Sequence, residues 1–212
     1  MYDFYIFDLD GTLLDTLDDL ADSVNATLHH FSYPLRTLDE IRKFVGNGMR
    51  NLIQLSLGGI PENFENILAY FKKYYGENCE KKTKPYEGII EVLQYLKSHG
   101  KKTAIVSNKA DYATQVLSKN YFNGLIDLAI GENEQAGVRR KPFPDSVLKA
   151  MDFFGANKEN TLYIGDSETD IQTAKNAGLS CISVVWGFRD KEYLIKEGAT
   201  KIITKPSELI NL

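Results

Sequence analysis

Apolar residues follow two different rhythms along this chain, and the changes of rhythm mark its elements. Phe4, Tyr5, Ile6 and Phe7 form an apolar run too short for a helix and rich in aromatic and β-branched residues, which predicts a buried strand. The run stops at Asp8-Leu9-Asp10-Gly11-Thr12. After it the spacing lengthens. Leu17, Leu20, Ala21, Val24, Leu28 and Phe31 recur at helical intervals, so an amphipathic helix is predicted over 18–30. Thr37-Leu38-Asp39-Glu40 has the form of a capping box and should open a second helix running to about 45. Gly46-Asn47-Gly48 interrupts it, and helical spacing resumes over 49–57. It breaks at Gly58-Gly59 and returns with Phe64, Ile67, Leu68, Phe71 and Tyr75. The stretch 15–84 is therefore predicted to be all helix, with no strand in it.

Beyond Lys84-Pro85 the two rhythms alternate. A helix with Ile89, Val92, Leu93 and Leu96 on one face ends at Gly100, and a strand follows over 103–107. A helix over 110–121, a strand over 125–130, a helix over 145–154 and a strand over 162–165 come next. A helix over 169–177 with Gly178 at its C-cap and strands over 181–185 and 202–204 complete the chain. Strands alternating with helices imply right-handed crossovers and an α/β, doubly wound parallel sheet, a Rossmann-like core. The first strand belongs to that sheet. The predicted organisation is thus a core of 1–14 and 85–212, with an all-helical cap domain of 15–84 inserted and free to move about its two crossings.

Composition narrows the partners more than the fold. Of 212 residues, 43% are hydrophobic and 25% charged, a globular balance that excludes disorder and coiled coil. A net charge of −4 without a basic cluster argues against nucleic acid or an anionic membrane as partner. No apolar stretch approaches the roughly 18 residues of a membrane span, and the first strand lies too close to Met1 for a signal peptide. A cytoplasmic monomer or homodimer is expected. Cys79 and Cys181 lack ligand spacing and read as reduced thiols, and His29, His30 and His99 read as surface residues.

In an open α/β sheet, ligands bind beyond the carboxyl ends of the strands. Asp8, Ser107 and Asp166 fall at such ends, and Lys141 lies on the loop after another strand. Asp8 and Asp10, two apart, are costly neighbours unless a cation or a shared proton stands between them. Asp8, Asp10 and Asp166 supply the hard oxygens that Mg2+ prefers. Ser107 and Asn108 offer neutral donors to phosphate oxygens, and Lys141 offers a point charge. A carboxylate can attack phosphorus to give an aspartyl-phosphate, while a second protonates the leaving oxygen and then activates water.

Asp8-Leu9-Asp10-Gly11-Thr12, Ser107-Asn108-Lys109, Lys141-Pro142 and Gly165-Asp166-Ser167-Glu168-Thr169-Asp170 occur in that order, with a helical insert after the first. Together they resemble the four motifs of the haloacid dehalogenase-like superfamily, in its phosphoglycolate phosphatase and β-phosphoglucomutase branch. The resemblance implies Asp8 as nucleophile and metal ligand, and Asp10 as general acid/base that lends its backbone carbonyl to the metal. It implies Asp166 as third ligand and Asp170 as support for the metal site. Ser107 and Lys141 would hold phosphoryl oxygens with Asn108 beside them, and Thr12 would steady the loop. Mg2+ is the implied cofactor and a small phosphomonoester the implied substrate, phosphoglycolate first. Pyrophosphate hydrolysis and phosphosugar mutase chemistry are the near alternatives. A phospho-receiver signalling domain shares the acidic cluster but needs neither the insert nor Asp10. The turn from Val45 to Arg50 resembles a cap segment that faces the site. Arg50 there either meets a small anion such as a carboxylate or is a surface arginine. Trp186-Gly187-Phe188 either packs under the cap or forms an exposed aromatic loop.

Overall fold

The computed structural model describes residues 2–133 and 137–211. Its first strand, β1 (Phe4–Phe7), is buried on both faces, with Phe4 and Ile6 in one apolar cluster and Tyr5 and Phe7 in another. That two-residue alternation between two cores is what a parallel strand covered by helices on either side requires. Six strands make the main sheet in the order β5-β4-β1-β6-β7-β8, all parallel. Besides β1 they are β4 (Lys102–Ala110), β5 (Leu128–Glu132), β6 (Thr161–Gly165), β7 (Ser180–Val184) and β8 (Ile202–Ile203). On one face α5 (Ile89–Ser98) and α6 (Asp111–Phe122) bury Leu93, Leu96 and Leu117. On the other α7 (Asp145–Phe154) and α8 (Glu168–Ala177) bury Val147, Met151 and Ala174.

Between β1 and α5 the chain makes four helices: α1 (Leu17–His30), α2 (Leu38–Phe44), α3 (Gly48–Leu57) and α4 (Phe64–Asn78). Their apolar stripes close on a separate cluster that includes Val24, Leu28, Ile53, Phe71 and Tyr75. The capping box of α2 forms as its spacing predicts: Glu40 N–H donates to Thr37 Oγ1 at 3.3 Å, and Thr37 N–H donates to Glu40 Oε2 at 2.8 Å. The helical segment is not free of strand, however. Leu14–Asp15 (β2) and Lys84–Pro85 (β3) pair antiparallel where the chain enters and leaves it. Two residues are too few to show a period. Buried Asp19 on α1 reinforces this base by accepting from the N–H groups of Lys82 and Thr83.

Other departures are local. β4 runs on to Ala110 through a shift of register after Val106, and β5 starts three residues later than its apolar run because the turn at Gly124 carries Leu125 and Ile126. A short helix α9 (Lys191–Lys196) and a final 3-10 turn (Pro206–Asn211) carry too little apolar spacing to be predicted. Phe188 is buried within the helical cluster, so the loop after β7 packs under the cap. His29, His30 and His99 are exposed, and both cysteines are free thiols. Among the described residues no helix is long and apolar enough to cross a membrane.

Candidate active site

The carboxyl ends of β1, β4 and β6 bring the charged residues together. Asp8, Asp166 and Asp170, all buried, place one carboxylate oxygen each within 4.8 Å of the others. Three like charges in so small and dry a space are tolerable only with counter-charge. Lys141 supplies part of it, with Nζ 2.8 Å from Asp8 Oδ1 and 2.8 Å from Asp170 Oδ1. Its approach to Asp8 is ionic rather than a directed hydrogen bond, and Asp8 Oδ1 has no hydrogen-bond partner. Burial pushes the Asp8 carboxyl up to about 7 against the pull of Lys141, with the Asp170 charge adding to the rise. Burial also lifts the Asp166 carboxyl well above its ordinary range, followed by the charges of Asp170 and Asp8.

The donor set suits a divalent cation. Among the described residues Asp166 Oδ1 accepts from Thr12 Oγ1, at 3.1 Å, and Oδ2 from the Phe188 N–H, at 2.8 Å, so each oxygen keeps a lone pair. With Asp8 Oδ1, which meets Lys141 Nζ at 2.8 Å, these are hard, buried oxygens of the kind Mg2+ takes. Asp170 differs. Its Oδ1 accepts from Lys141 Nζ and from the Tyr163 hydroxyl at 3.0 Å, and its Oδ2 from the N–H and hydroxyl of Ser167. It closes the N-terminal box of α8 and braces Lys141. Gly11 belongs to the same packing: at φ +88° its backbone passes so near Asp166 that a Cβ there would stand 2.3 Å from Oδ2.

A cleft opens between this floor and the cap. Asp8, Asp10, Ser107, Asn108 and Lys109 line it from the sheet, and Leu20, Val45, Met49, Leu52 and Tyr75 from the helices. Asp10 sits beside Asp8 but pairs with Lys109, whose Nζ reaches its two oxygens at 2.9 and 3.2 Å. Lys109 also donates to the hydroxyl of Tyr75 on α4. The sequence reading places Lys109 in a motif and Tyr75 in an apolar stripe, with no site role for either. The signal for Lys109 was its place two residues after Ser107, the spacing that sets side chains on one side of a strand.

Two expectations need correcting. Asn108 does not offer its amide to the cleft. Its Nδ2 donates to Gly46 O and Lys141 O, both at 3.1 Å, and its Oδ1 accepts from Lys141 N–H at 2.8 Å, because the loop and the cap turn both lack backbone partners there. Arg50 does not face the cleft either. It lies about 100° round α3 from Met49, and its guanidinium pairs with exposed Glu65 at 2.6 Å over the ring of Phe64.

The cap turn is gripped from the core. Arg189 Nη1 and Nη2 donate to Arg42 O and Val45 O, both at 2.9 Å, while Nε meets Glu168 Oε2 at 2.9 Å. Thr169 Oγ1 donates to Asn47 Oδ1, and Arg42 Nη2 donates back to Gly187 O. Trp186 Nε1 donates to Thr12 O at 3.0 Å.

The model of the haloacid dehalogenase-like hydrolases matches residues 5–184, through sheet and helical insert alike, which overturns the phospho-receiver alternative. The phosphoglycolate phosphatase of Aquifex aeolicus is 34% identical over 209 residues, covering 98% of this chain and 94% of the relative. Phosphoglycolate phosphatase 1 of Pseudomonas aeruginosa is 30% identical over 213 residues, covering 97% and 77%. A solved structure from Lactobacillus delbrueckii subsp. bulgaricus, provisionally called a phosphoglycolate phosphatase, superposes with a TM-score of 0.92. It is 36% identical and covers 99% of this chain and 97% of its own. With its motifs converging on one buried carboxylate floor beneath a helical cap, this chain belongs to the haloacid dehalogenase-like hydrolases.

Proposed function

We propose that this phosphoric monoester hydrolase cleaves small phosphate esters, phosphoglycolate first among them, through an aspartyl-phosphate on Asp8 and with Mg2+ as cofactor. The observation that carries the reading is the meeting of Asp166 and Lys141 with Asp8, which lines the cleft together with Asp10 and Ser107. The names of the relatives support phosphoglycolate as the first ester to try.

In this reading Asp8 attacks phosphorus as the bond to the alcohol oxygen breaks, and Asp10 gives that oxygen its proton. Asp10 then takes a proton from water, which attacks the phosphoryl group, frees inorganic phosphate and returns Asp8 as a carboxylate. Lys141 and Ser107 hold the phosphoryl oxygens while charge builds on them. Asp8, Asp166 and the Asp10 carbonyl would hold Mg2+, which when bound offsets the charge of both nucleophile and phosphate. Asp170 keeps Lys141 aimed at Asp8. The helices of residues 15–84 act as the cap, and Leu20, Val45, Met49 and Leu52 keep bulk water from the floor. The cleft leaves about 50 Å3 free. That is room for a few waters.

Phosphate release is measured over a panel of esters with Mg2+ and with EDTA, alongside Asp8→Asn. Turnover of phosphoglycolate that needs Mg2+ and vanishes in the variant is expected. Wild-type turnover by Asp8→Asn would overturn the mechanism. Isomer rather than phosphate from β-glucose 1-phosphate would move the chain to the mutases.

A further inference from the structure

We propose that Lys109 is the specificity-determining residue of the cleft: its ammonium takes the carboxylate of a small phosphorylated hydroxy acid. It thereby selects esters that carry a second negative charge a few atoms from phosphorus. The inference rests on the phosphatase reading above and adds to it the group that recognises the alcohol half.

Among the described residues that line the cleft, Lys109 is the only cation. The cap side of the wall is otherwise apolar, built from Leu20, Val45, Met49 and Leu52 beside Tyr75. Lys141 is committed elsewhere, between Asp8 and Asp170. Lys109 is 5% exposed and stands where core meets cap. Its Nζ holds both oxygens of Asp10 on the core side and the Tyr75 hydroxyl on the cap side, 4.6 Å from the centre of that ring.

This placement matches the route of the substrate. Asp10 must turn one oxygen toward the alcohol oxygen to serve it as acid. Once it turns, one of the two contacts it makes with Lys109 is given up, and an ammonium donor comes free beside the alcohol half of the ester. A carboxylate there gains a charge-assisted partner in a dry wall; a neutral hydroxymethyl group does not. Arg50, held on the outer surface by Glu65, has no part in this recognition.

The test compares phosphoglycolate with 2-hydroxyethyl phosphate, which replaces the carboxylate by a hydroxymethyl group and leaves the scissile bond alike. Wild type is expected to prefer phosphoglycolate in kcat/KM. In Lys109→Gln, which keeps a hydrogen-bonding side chain beside Asp10, the ratio should fall roughly thirtyfold or more, the loss expected when one partner of a buried charge pair is removed. Tyr75→Phe serves as a second variant should Lys109→Gln fold poorly. It frees a donor of Lys109 and should lower KM for phosphoglycolate more than for 2-hydroxyethyl phosphate. Equal losses on both esters in Lys109→Gln would make Lys109 a prop for Asp10 and overturn the inference. So would a wild-type enzyme that hydrolyses both esters without preference, which leaves the phosphatase reading standing. A wild type that releases phosphate from no ester at all would overturn both.

Discussion

Asp8→Asn should abolish turnover and, with no metal present, make the protein more stable. Asp8 is buried against Asp166 and Asp170, and its carboxyl is pushed up to about 7, first by burial and, beyond the counter-pull of Lys141, by the Asp170 charge. In the unfolded chain an aspartate titrates near 3.9. Between about pH 4 and pH 7 the folded protein therefore holds a proton that the unfolded chain has released, so stability falls as pH rises through that window. A gap of about 3 pH units, at roughly 1.4 kcal/mol each, bounds the cost at about 4 kcal/mol by pH 8. Asparagine cannot ionise and avoids that cost, though Lys141 loses one of its two counter-charges, so a net gain of about 1–3 kcal/mol is expected. In a chain of this size that raises the melting temperature by roughly 2–10 °C. Calorimetry of wild type and variant in EDTA, at pH 8 and pH 4.5, measures the difference, with phosphate release followed in parallel. A variant that melts below wild type at pH 8, or a gain equal at both pH values, would refute the reasoning.

Two further substitutions follow from the geometry. Arg50→Ala should leave kcat/KM within about twofold of wild type on every ester, because an exposed pair with Glu65 is screened by water and touches nothing in the cleft; a loss confined to phosphoglycolate, read from steady-state kinetics, would return Arg50 to the site. Gly11→Ala should cost about 2–4 kcal/mol and most of the Mg2+ affinity, since it combines a positive φ with a Cβ 2.3 Å from Asp166 Oδ2. Thermal melts and Mg2+ titration check this against Gly59→Ala, where a Cβ meets nothing within 4 Å.

The architecture was legible because its signals repeat. β1 buries every one of its four residues, the capping box at Thr37 needs only two side chains, and the stripes of α1 and α4 run over several turns. The paired residues Leu14–Asp15 and Lys84–Pro85 were not, since they are joined across some seventy residues and neither piece is long enough to show alternation. The candidate site divides in the same way. Asp8 and Asp166 announce themselves by type and by their place at strand ends. The turn of Arg50 away from the cleft depends on which face of α3 points inward. Helical phase alone separates Arg50 from Met49 and Leu52, so that part was within reach of the sequence. The meeting of Lys109 with Tyr75 was not, because it joins a strand end to a helix of another layer.

The four residues Trp186 to Arg189 touch three parts of the machine at once. Trp186 fastens the loop of Thr12, the Phe188 amide steers Asp166, and Arg189 grips the cap at Arg42 and Val45. One strap thus runs from the helical insert to the Asp166 carboxylate. In the proposed Mg2+ reading, a rise of the insert would pull on the peptide units that hold Asp166, so opening of the cleft and release of the ion are expected in a single stroke. Deuterium uptake at the Phe188 amide reports that stroke, and it should slow when Mg2+ and phosphate are added together.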